Sequence, residues 1–140
     1  MPQEYLSTSV EQTEQIAFDV SRELRGGECI ALEGELGAGK TQFVRGLLKG
    51  LGGDARSVSS PTFVLLNMYD SGRLKLFHLD AYRVSGAEDF ESIGFPELLE
   101  QGGVVVVEWA SRVASILPPN RITISIEHVD DHTRRLVIDR

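Results

Sequence analysis

Gly34-Glu35-Leu36-Gly37-Ala38-Gly39-Lys40-Thr41 satisfies the phosphate-loop pattern G-x-x-x-x-G-K-[ST] at every fixed position. Before it runs Cys29-Ile30-Ala31-Leu32, an apolar segment of strand length. After it, Phe43, Val44, Leu47, Leu48 and Leu51 recur at helical spacing. Strand, glycine-rich loop and helix in that order make the pattern a structural expectation as well as a match. Glycines allow the backbone to turn tightly and bring its N–H groups onto phosphate oxygens, and the following helix aims its positive end at the same anion. Glu35, Leu36, Gly37, Ala38, Gly39, Lys40 and Thr41 are the expected nucleotide-binding residues. Lys40 is expected to reach the β and γ phosphates, and the Thr41 hydroxyl to ligate Mg²⁺.

The rest of the chain fits one α/β domain, residues 1–140, with a mixed, partly antiparallel sheet flanked by helices. Ser7 to Leu24 reads as a helix. Ser9 and Gln12 form a capping-box pattern, Ile16, Val20 and Leu24 make an apolar face, and Gly26-Gly27 stops the run. Phe63–Tyr69 and Leu74–Leu79 are β-prone runs joined by a glycine-containing turn. Alternation puts Leu74, Leu76, His78 and Asp80 on one face of the second. Ala87 to Leu99, interrupted by Gly94 and Pro96, reads as two short helices. Val104–Val107 reads as a buried strand, and Ser111–Ile116 as a short helix before Pro118-Pro119. Ile122, Ile124 and Ile126 alternate with polar residues, and Leu136–Asp139 completes a C-terminal hairpin.

Composition narrows the function. A net charge of −7 lacks the basic surplus that neutralises nucleic-acid phosphates, so contact with RNA is expected only through partners. No apolar run has membrane-spanning length, and the N-terminus lacks the basic and apolar regions of a signal peptide. A lone cysteine, Cys29, suits a reducing compartment, so a cytoplasmic protein is expected.

A phosphate-loop hydrolase needs an acid at the end of a neighbouring strand to hold Mg²⁺ directly or through water. Glu108 follows four valines and Asp80 follows Leu76-Phe77-His78-Leu79. Glu108 is the candidate metal acid. Asp80 is a candidate for orienting the attacking water or sharing the metal, against the plainer roles of helix cap or partner to Arg83. Thr62 lies in a polar loop where nucleotide switches keep a threonine that senses the γ-phosphate. His78 alone reads as an interior histidine and Trp109 as packing, with base stacking as its alternative; Arg83, Arg112, Arg134 and Arg135 are possible phosphate or partner contacts.

Together, Gly34–Thr41, Ser60-Pro61-Thr62-Phe63, His78-Leu79-Asp80-Ala81-Tyr82-Arg83 and Val107-Glu108-Trp109 resemble the TsaE (YjeE) family in order and spacing across nearly the whole chain. The resemblance implies a P-loop ATPase using ATP and Mg²⁺ in tRNA threonylcarbamoyladenosine biosynthesis, active alongside the TsaD and TsaB proteins. Carried over by motif, Lys40 and Thr41 hold phosphate and metal, Glu108 helps ligate Mg²⁺, Asp80 lies by the γ-phosphate, and Thr62 occupies the switch-like loop. Gln42 stands where a second threonine is common, and Ser111 where an acid is frequent; neither position carries the assigned chemistry. The alternatives on the same fold are a small-molecule kinase and a nucleotide-gated binding module that does not hydrolyse. A GTPase is disfavoured, since the chain has no Asn-Lys-x-Asp motif.

Overall fold

The protein is described from a computed structural model, which covers residues 2–35, 37–59, 66–82, 84 and 86–140. Among these, seven strands form one sheet: β1 (Gln3–Ser7), β2 (Cys29–Gly34), β3 (Leu66–Tyr69), β4 (Leu76–Asp80), β5 (Val104–Glu108), β6 (Ile122–His128) and β7 (Arg134–Asp139). Their order across the sheet is β1-β7-β6-β2-β5-β4-β3. The four central strands β6, β2, β5 and β4 are parallel, and β3 and β7 join them antiparallel on either side. The mixed sheet expected from the sequence is therefore present, with its parallel part in the middle.

Burial explains why those four strands are central. Val104, Val105, Val106 and Val107 are all fully buried, so β5 needs cover on both faces, as parallel strands do. One face packs under α1 (Val10–Ser21) and α2 (Lys40–Gly50), through Ile30, Leu32, Val104 and Val106 against Phe43, Leu47 and Val20. The other packs Ala31, Phe77, Leu79 and Val107 under α3 (Ala87–Ser92), α4 (Phe95–Leu99) and the 3-10 turn Ala110–Ile116. Each buried valine stabilises the fold by about 1.5 kcal/mol relative to exposure. Cys29 lies within the second layer, and burial pushes its thiol up to about 12, which leaves it unreactive filler.

Several boundaries differ from the sequence reading: the first helix ends at Ser21, short of Leu24, β4 starts at Leu76 and not Leu74, and three further differences have clear causes. The first helix begins at Val10, because residues 3–7 pair with β7 as an edge strand. Ser9 does cap the helix, accepting from the Gln12 N–H at 3.1 Å, but the Gln12 side chain reaches back to Thr8 instead, at 2.6 Å from its backbone nitrogen. The segment read as a helix from Ser111 is a 3-10 turn broken at Val113. Finally, β7 starts at Arg134, which extends the C-terminal hairpin by two residues beyond the expected Leu136.

The crossing of α1 and α2 depends on Gly46. A Cβ there would lie 2.2 Å from the Glu14 carbonyl oxygen and 2.7 Å from the Ala17 Cβ. A backbone carbonyl cannot give way, so helical propensity gained by alanine is outweighed by overpacking. Gly46→Ala should lower stability by about 1–3 kcal/mol, read as an earlier urea midpoint. No helix among the described residues is long and apolar enough to cross a membrane.

Candidate active site

The phosphate loop leaves β2 at Gly34 and enters α2 at Lys40. Gly39 holds φ 112° and Gly37 φ 77°, a left-handed backbone that side chains other than glycine's resist. No side chain caps α2, so its first N–H groups are left for an anion. The loop is tied down by Ala38 N–H to Glu35 O at 3.0 Å, and from β7 by Arg134, whose Nε donates to Ala38 O at 3.1 Å.

Strand register delivers the acids. In the β4–β5 pair Asp80 is opposite Glu108, and in the β2–β5 pair Glu108 is opposite Leu32. Both carboxylates therefore end neighbouring parallel strands beside the loop, where α/β folds place their ligands. Gly37, Gly39, Thr41, Asp80, Glu108 and Trp109 line one cleft of about 280 Å³ with Lys40. Of the residues assigned chemistry in the sequence, this cleft gathers six: Gly37, Gly39, Lys40, Thr41, Asp80 and Glu108. Glu35 and Ala38 belong to the loop itself. Leu36, Thr62 and Arg83 fall outside the described residues.

Lys40 is buried, and its ammonium is held against the loop. Nζ donates to the Gly34 carbonyl and to Glu35 O at 3.2 Å, and lies 4.0 Å from the centre of the Trp109 ring. Burial lowers the Lys40 pKa; the Glu108, Asp80 and Glu33 carboxylates oppose that shift. Asp80 is half-buried and accepts from the Tyr82 N–H at 2.8 Å. Its carboxyl is pushed above the usual carboxylate range, first by burial and then by the Glu108 charge, with the Tyr82 bond pulling the other way. The raised affinity for protons suits a group that must take one at neutral pH.

Trp109 stacks against a cation and a second ring, beyond the packing read from the sequence. It is the non-glycine residue with positive φ among those described, at 57°. That turn lays its indole between Lys40 and Tyr82, whose ring centre is 4.8 Å away, and Arg112 continues the stack 5.6 Å over Tyr82. Left-handed backbone costs a bulky residue about 1–2 kcal/mol, strain of the kind that collects at working sites. Arg135 instead pairs with Glu127 at 2.6 Å on the far hairpin.

Residues 7–136 match the family model for "Threonylcarbamoyl adenosine biosynthesis protein TsaE". The chain belongs to the TsaE family. Its relatives include tRNA threonylcarbamoyladenosine biosynthesis protein TsaE of Treponema pallidum (strain Nichols), 44% identical over 95% of this chain and 97% of that protein. The TsaE of Bacillus subtilis (strain 168) is 39% identical over 90% and 78%, and that of Aquifex aeolicus (strain VF5) 38% identical over 98% and 96%. The crystal structure of YdiB from Bacillus subtilis superposes with a TM-score of 0.82 at 31% identity, covering 99% of this chain and 84% of the other.

In this TsaE-family chain no group of three or more His, Cys, Asp or Glu side chains among the described residues is arranged to hold a metal. The oxygen donors of the cleft, the Thr41 hydroxyl and the Glu108 and Asp80 carboxylates, suit a hard cation that brings most of its shell as phosphate and water. The sequence also gave no sign of a second cleft, about 170 Å³, on the opposite flank of the loop between Thr8, Thr13, Gly39, Gln42 and His132. It joins elements far apart in the chain, so only the folded structure brings it together.

Proposed function

We propose that the protein hydrolyses ATP with Mg²⁺ at the phosphate loop, in the service of tRNA threonylcarbamoyladenosine biosynthesis and together with the TsaD and TsaB proteins. The observation that carries this reading is the convergence of Lys40, Thr41, Asp80 and Glu108 on one cleft beside an uncapped helix N-terminus. The names of the relatives support the biological setting.

The β and γ phosphates fill the loop and draw Lys40 Nζ away from the Gly34 and Glu35 carbonyls, exchanging neutral acceptors for charged ones. Thr41 and Glu108 would hold the cation, which supplies charge neutralisation for the phosphate oxygens. Asp80 orients a water for in-line attack on the γ-phosphorus and accepts its proton. The bond to the bridging oxygen breaks, and ADP leaves with the electron pair. The nucleoside end of ATP occupies the second cleft, across the loop from the acids.

In this reading TsaD and TsaB regulate turnover and couple it to tRNA modification. Purified protein should turn ATP over slowly alone and at a changed rate with both partners present. Cells lacking it should lose threonylcarbamoyladenosine from tRNA. Normal levels of the modified nucleoside in such cells would overturn the reading. A stoichiometric phosphorylated acceptor in place of phosphate would show a kinase instead.

A further inference from the structure

Glu108 is gripped from behind. His78 Nε2 donates to Glu108 Oε2, and both residues are buried. An ionised carboxylate only accepts, so Nε2 is the nitrogen that carries the hydrogen in this bond. His78 Nδ1 lies 3.3 Å from the hydroxyl of Tyr69, on the neighbouring strand β3. That hydroxyl in turn accepts from the Ser59 N–H at 3.4 Å and lies 3.2 Å from Ser59 O. Hydrogen bonds thus run without a break from the backbone at Ser59 through Tyr69 and His78 to the acid at the end of β5.

Stability does not account for this chain. His78 shares its face of β4 with Leu76, beside Val104 and Val106, where an apolar side chain would avoid the cost of burying an imidazole against a carboxylate. What an apolar residue would not supply is a fixed carboxylate. With Oε2 held by His78, rotation of the Glu108 side chain is restricted and its other oxygen is left for the cleft that Glu108 lines.

We propose that His78 and Tyr69 are positioning residues that lock Glu108 in its metal-holding orientation and anchor that orientation to the backbone at Ser59. This rests on Glu108 acting on the metal side of the nucleotide. The test is binding of Mn²⁺ with a non-hydrolysable ATP analogue, read by electron paramagnetic resonance of free Mn²⁺, with analogue affinity in EDTA measured in parallel.

His78→Leu should weaken Mn²⁺ binding about 10-fold and leave affinity in EDTA unchanged. His78→Gln retains an N–H donor and should recover most of the loss. Tyr69→Phe, which keeps the ring and removes only the hydroxyl, should give a smaller loss in the same direction. These two conservative variants carry the test if His78→Leu does not fold. Wild-type Mn²⁺ affinity in the Tyr69 and His78 variants, with affinity lost in Glu108→Gln, overturns the positioning role alone. Unchanged Mn²⁺ affinity in Glu108→Gln overturns the metal assignment beneath it as well.

Discussion

Lys40→Ala should lower affinity for ATP about 100-fold. The ammonium is the cation at the head of the loop, and a charged hydrogen bond to phosphate contributes about 3 kcal/mol. In this variant the turn of the loop is still set by Gly37 and Gly39 and still braced by Arg134, while the Gly34 and Glu35 carbonyls lose their bonds to the lysine. Trp109, the single tryptophan of the chain, reports on the same event. In the wild type Nζ lies 4.0 Å from the indole centre, and its withdrawal by phosphate should shift the emission as nucleotide is added. In Lys40→Ala the starting emission should differ, and the titration should be nearly flat at concentrations that saturate the wild type.

Asp80→Asn separates binding from chemistry and has an opposite effect on stability. Turnover with the partner proteins should fall about 100-fold or more, the range expected when a positioned proton acceptor is lost, while ATP stays bound. The ligand-free variant should also melt at a higher temperature at pH 7. The direction follows from the raised pKa of Asp80. A carboxyl whose folded pKa lies above its unfolded value favours the folded state below the ordinary value of 3.8, and that contribution is lost as pH rises through the raised value. Above that raised value the wild type holds a charge that burial and Glu108 disfavour, and asparagine removes it. The gap in melting temperature should narrow as pH is lowered. An equal gap at every pH would assign it to packing, not charge.

The parts of this site that were legible in the sequence are those fixed by local chemistry. The Gly34–Thr41 loop is written in residues that only a tight phosphate turn requires, and β5 in valines that only a doubly covered strand can bury. Asp80 and Glu108 could be singled out because each ends an apolar run, and strand ends are where this fold class works. What stayed hidden depends on contacts between distant segments. His78 looked like a core histidine until β4 was placed beside β5, which sets it against Glu108. Arg134 braces the loop from 96 residues away. Strand β1 gave no pattern because four of its five residues are exposed on a sheet edge, so no alternation was demanded of them. The left-handed turn at Trp109 had no glycine or asparagine to announce it.

The nest between β2 and α2 is expected to hold a triphosphate, with its metal against Thr41 and Glu108. A crystal structure with Mg²⁺ and a non-hydrolysable ATP analogue tests it most directly. The β and γ phosphates should lie on the loop N–H groups, with Lys40 Nζ moved from the Gly34 and Glu35 carbonyls to phosphate oxygen and the metal bound by the Thr41 hydroxyl on the Glu108 side. Phosphates lodged elsewhere, with Lys40 still on those two carbonyls, would contradict it.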